Sequence, residues 1–216
     1  WSSDVCCSDL SRSYQPGDWT VLDNGNEDNA AWRKAMEDLE SRDWKAAIDV
    51  RKMLPLVDER AARIVENYAR KLLTTVNPYS KKCFAADPQV VTVELLNEFS
   101  LDYTIICKNR LPEYQMKQVV KEWARFAAGK GVDPGDFMAP ATPAQIQARG
   151  EFFEMLERRF IDRMQKVIRE CGYRGSIIYS NLWRGENASK LSAGLNGSVE
   201  DHAYVDPRVY LKRKDF

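Results

Sequence analysis

The sequence predicts an α/β fold built around a parallel sheet. Two short runs, Val90–Leu96 and Ser176–Trp183, carry the expectation first. The earlier one is apolar on both alternating faces apart from Thr92 and Glu94, the pattern of a strand covered on both sides. Long amphipathic helical patterns precede both runs, and a third strand or strand end is read at Ser198–Tyr204. The order helix, strand, helix, strand, short helix, strand is that of consecutive α/β units.

Composition bounds the class. The 216 residues are 44% apolar and 30% charged, ordinary for one globular domain, and no second domain, internal repeat or low-complexity segment is visible. Lys+Arg and Asp+Glu both number 32, so the net charge gives no reason to expect a nucleic-acid partner or an anionic membrane surface. No apolar run approaches the roughly 20 residues that span a bilayer. Trp1–Leu10 (WSSDVCCSDL) differs only at Cys7 from the translation of a widely used sequencing adapter. Residues 1–10 are therefore expected to be a read artefact, leaving 11–216 as the domain and any signal peptide lost upstream. With Cys6 and Cys7 set aside, Cys83, Cys107 and Cys171 remain, widely spaced and without a CxxC pair. Beside a single histidine they form no zinc pattern and read as small side chains in or near a core.

The elements follow in order. Ser11–Asn29 reads as loop, and Glu27–Met53 is helix-prone, with Trp32, Met36, Leu39, Trp44 and Ile48 as a packing stripe. After Pro55, Asp58 is placed to cap a helix whose inner face is Ala61, Ile64, Val65, Tyr68, Leu72 and Val76. Asn77-Pro78-Tyr79 stops it, and Asp87-Pro88 marks a turn before the first strand. Pro112–Ala128 is a helix with Met116, Val119, Val120, Trp123 and Ala127 inside and Gly129 as its stop. Gly129–Pro143 is a Gly/Pro-rich excursion. Ala144–Cys171 is the longest helical pattern, with Phe153, Leu156, Phe160, Met164 and Val167 or Ile168 facing in. Asn187–Leu195 reads as a short helix.

In parallel sheets, functional groups gather where strands run out at their C-terminal ends, because the loops there are free to vary. Asn97 and Glu98 end the first strand, Asn181 and Trp183 the second, and Asp201, His202 and Tyr204 the third. Glu98 follows an apolar strand, and partial desolvation would raise its pKa towards that of a general acid. Glu94, on the same alternating face, reads as an interior carboxylate paired with a cation. Trp183 and Tyr204 offer flat faces to sugar rings, or plug the end of the sheet. His202, the only histidine, stands evenly between a structural and a functional role.

These residues carry a resemblance. VVTVELLNEFSL is similar to the fourth-strand motif of clan-A glycoside hydrolases, in which a strand ends in Asn-Glu. Tyr68–Leu101, with its Asn-Pro-Tyr turn and Asp-Pro before the strand, resembles cellulase-like and mannanase-like barrels, including uncharacterised bacterial members. SVEDHAYVDP resembles their sixth-strand Asp-x-His-x-Tyr signature, although Asp201 and His202 are adjacent here. The resemblance runs over roughly Pro55–Pro207 and implies a partial (β/α)8 TIM barrel covering strands 3/4 to 6. A complete barrel takes about 250 residues. Phe99 stands where many members carry Pro. The nucleophilic Glu that ends strand seven has no counterpart before Phe216, so the chain is expected to be an inactive fragment.

What the resemblance implies is retaining hydrolysis of a β-linked oligo- or polysaccharide. Glu98 would be the acid/base, Asn97 would bind the sugar 2-hydroxyl, and His202 and Tyr204 would position sugar or carboxylates. That chemistry requires no metal and no organic cofactor. Two other readings stand beside it: a carbohydrate-binding barrel without catalysis, and a mostly helical interaction protein. The sequence leaves the glycan, its linkage, the oligomeric state and the localisation open.

Overall fold

A computed structural model describes residues 27–41, 44–180, 190–191 and 193–195. Helices α1 (Glu27–Glu40), α2 (Trp44–Val57) and α3 (Glu59–Thr74) lead to strand β1 (Thr92–Leu96). Helices α4 (Glu113–Gly129) and α5 (Pro143–Glu170) then lead to strand β2 (Ser176–Ser180). Residues 190–191 and 193–195 are helical, within the short helix read from sequence. The expected third strand, Ser198–Tyr204, and the adapter-like stretch lie outside the described residues.

β1 and β2 are hydrogen-bonded neighbours running parallel, with Val93 beside Ile177, Glu94 beside Ile178 and Leu96 beside Ser180. Side chains alternate across a strand, so Val93, Leu95, Ile177 and Tyr179 share one face and Glu94, Leu96, Ile178 and Ser180 the other. All eight are buried, as the two apolar runs predict. The described residues thus form a mixed, helix-rich α/β unit with one parallel strand pair.

The helical stretch expected over Glu27–Met53 is two helices. Ser41 Oγ donates to the Asp38 carbonyl at 2.7 Å, a local bond that competes with helix continuation. α2 also runs two residues past Pro55, the expected break, before Asp58 starts α3. Asp58 caps as predicted: Oδ1 accepts from Arg60 N at 2.9 Å and Ala61 N at 3.2 Å. Its other oxygen accepts from Trp32 Nε1 of α1 at 2.7 Å and Gln115 Nε2 of α4 at 3.0 Å. One carboxylate therefore ties three helices together.

The buried face of α3 runs through Ala62, Val65, Ala69 and Leu73 as well as Ala61 and Ile64, while Tyr68 and Leu72 are only half-buried. The helix ends at Thr74, and Val76, expected inside, is exposed because the chain there is extended and bridges to Cys83. Val120 of α4 is likewise exposed, and Gln115, the partner of Asp58, takes the inner position. Cys83 and Cys171 are half-buried, whereas Cys107 is exposed rather than near the core.

α5 opens with a capping box: Thr142 Oγ1 accepts from Gln145 N at 3.2 Å, and Gln145 Oε1 accepts from Thr142 N at 3.0 Å. Its predicted inner residues are all buried, joined by Phe152, Ile161 and the polar Glu157. Arg163 holds it to α3 through Glu59 and Glu66, and these carboxylates raise the guanidinium pKa further above its usual value. Among the described residues, no helix is long and apolar enough to cross a membrane.

Candidate functional site

The C-terminal end of the strand pair is where the sequence places the chemistry. β1 stops at Leu96, and Asn97 and Glu98 form a turn. Strand alternation therefore does not set the direction of Glu98, contrary to the expectation that it shares the face of Glu94. Glu98 instead has φ +48°, a left-handed conformation that an L-residue with a Cβ adopts at a cost of about 1–2 kcal/mol.

Two tethers hold this turn. Lys52 Nζ of α2 donates to the Asn97 carbonyl at 2.5 Å. Ser180, at the end of β2, accepts from Phe99 N and donates to Phe99 O, both at 3.0 Å. Ser180 is 1% exposed and Phe99 is buried, so neither bond is replaced by water when broken. The backbone on either side of Glu98 is thus fixed from two directions, while the Glu98 side chain stays half-exposed.

Behind the turn lies a second polar group. Tyr179 OH donates to Glu157 Oε1 of α5 at 3.0 Å, with both residues buried. Burial above all, then the Glu157 carboxylate and more weakly Asp102, push the Tyr179 phenol well above the ordinary range. A raised folded pKa means the folded state holds the proton more tightly. This contribution to stability is therefore complete below the unfolded value of about 10 and is lost as the pH rises beyond it, by up to about 1.4 kcal/mol per unit. We expect chemical denaturation above pH 10 to show that slope, and Tyr179→Phe to remove it. The same substitution should cost about 2 kcal/mol at neutral pH by stripping Glu157 of a buried donor.

Through this bond Glu157 ties α5 to β2. α4 packs against α5 through Trp123, Phe126 and Phe152, whose rings lie 5.5–6.4 Å apart. Arg149 projects from α5. Its guanidinium donates to the Phe137 carbonyl at 2.8 Å, burial lowers its pKa, and Asp102 and Asp136 oppose that shift.

Of the residues singled out in the sequence, Asn97 and Glu98 lie together at the strand end, and Glu94 is buried within β1 at 3% exposure. Asn181, Trp183, Asp201, His202 and Tyr204 lie outside the described residues. Ser180, Lys52 and Glu157 were not anticipated. Ser180 had one legible signal, a small polar residue closing an apolar strand next to Asn181. Ser180→Ala should leave Phe99 N and O unsatisfied and cost about 2 kcal/mol. Faster amide exchange at Phe99 should accompany the loss, and a change under about 0.5 kcal/mol would show that the clamp contributes little.

No protein-family profile, curated protein or solved structure matches the chain.

Proposed function

We propose that this chain forms part of a retaining glycoside hydrolase acting on β-linked glycans, with Glu98 as acid/base and Asn97 beside it as a sugar ligand. The observation that carries the reading is the held turn. A glutamate at the C-terminal end of a parallel strand keeps a strained backbone, fixed by Lys52 on one side and Ser180 on the other. Strain retained against a simple alternative is characteristic of positions selected for something other than stability. The sequence resemblance names the chemistry. Glu98 would protonate the leaving oxygen and then activate water, while a second carboxylate about 5 Å away attacks the anomeric carbon. The resemblance puts that second carboxylate at the end of the barrel's seventh strand.

The test is hydrolysis by the gene product that carries this chain, with Glu98→Gln compared on two leaving groups. An unactivated glycan should be cleaved far more slowly, and an activated aryl glycoside should lose much less in its first bond-breaking step. Equal losses on both substrates would count against an acid role.

A further inference from the structure

Away from the strand ends, α3, α4 and α5 enclose a groove of about 600 Å³ that shares no residue with the Asn97–Phe99 turn. Its floor is apolar, formed by Leu56, Ala62 and Phe160, all buried. Its walls are ionic and unbalanced: six cationic side chains face three carboxylates, and with Glu66, which takes Arg163 from just outside the lining, the local excess is two in a chain whose formal net charge is zero. The carboxylates are already engaged. Asp58 caps α3, Glu59 takes Arg163 at 2.5 Å and Arg63 at 3.1 Å, and Glu122 takes Arg159 at 2.6 Å.

Lys121 and Arg125 are left over. They stand one turn apart on α4, both exposed, with no hydrogen bond or ion pair among the described residues. Like charges at this spacing repel. Across the groove, Arg60 of α3 is held against Tyr114 of α4, its guanidinium donating to the phenol oxygen at 3.2 Å, so a further cation is fixed at the same mouth.

We propose that this groove binds a phosphate-bearing ligand. A carboxylate would bring one negative charge to an excess of two, whereas a phosphate ester or diphosphate brings close to two or more, with oxygens matched to a guanidinium fork. The apolar floor would receive whatever the phosphate carries. The site is independent of the glycosidase reading.

Calorimetric titration of the full chain with pyrophosphate in low-salt buffer should show saturable binding of one ligand, weakened by added salt. Lys121→Glu combined with Arg125→Glu should weaken it at least tenfold, while Lys82→Glu, an exposed cation elsewhere, leaves it unchanged. Should the paired charge reversal lower the melting temperature, Lys121→Gln with Arg125→Gln replaces it and must still weaken binding at least threefold. Glucose 6-phosphate and a nucleoside diphosphate, titrated in parallel, report which carrier the floor accepts and must lose affinity in the same variants. Absence of saturable binding, or affinity untouched by both paired variants, overturns the proposal. Neither outcome bears on Glu98, because nothing is hydrolysed in the measurement.

Discussion

Asp58→Ala should lower the unfolding free energy by about 4 kcal/mol, the largest single-residue effect on stability that we expect. Three losses combine. The cap on α3 disappears, a loss typically of about 1 kcal/mol. Trp32 Nε1 and Gln115 Nε2 then lose their acceptor, and both residues are nearly fully buried. A buried donor left unsatisfied costs about 1–3 kcal/mol, so these two outweigh the cap itself. A typical domain has only about 5–15 kcal/mol in total, so the variant would be markedly less stable. Asp58→Asn separates the terms, because its single carbonyl oxygen can serve the cap or the two side chains but not both. It should fall near the middle. Urea denaturation followed by tryptophan fluorescence reads both variants, and a loss near 1 kcal/mol for Asp58→Ala would mean that only the cap matters.

Glu98→Gln should have the largest effect on activity under the proposed function. General acid–base catalysis contributes about 10²–10⁴-fold, so hydrolysis of an unactivated glycan should fall on the order of a thousandfold. The glutamine keeps the size and hydrogen-bonding edge of the side chain but has no proton to give. A substrate whose leaving group departs without protonation bypasses the first loss. The second step still needs a base, so the glycosyl-enzyme should accumulate and KM should fall with kcat. That paired fall separates loss of acid/base chemistry from loss of sugar binding, which would raise KM instead.

The parts of this architecture that were legible in the sequence are those set by local chemistry. Val90–Leu96 announced β1 because burial on both faces leaves an apolar run, and the strand occupies Thr92–Leu96. Asp58 announced a helix start because a capping carboxylate acts within its own turn. The rest depends on partners remote in the chain. That Asp58 also gathers Trp32 and Gln115, 26 and 57 residues away, has no local sign. Glu157, between Leu156 and Arg158, looks like a solvated helix position until β2 brings Tyr179 to it. The backbone of Glu98 was the least legible of all, since residue type argues against a positive φ and only the Lys52 and Ser180 tethers make it comprehensible.

Azide is the sharpest probe of Glu98 as the acid/base. A small anionic nucleophile needs no general base, so with an activated β-glycoside it should intercept the glycosyl-enzyme of Glu98→Ala and restore turnover. The product should be a β-glycosyl azide, the retained anomer. An α-glycosyl azide would assign Glu98 the nucleophile's role instead, and unimpaired hydrolysis by Glu98→Ala without azide would remove it from the chemistry altogether.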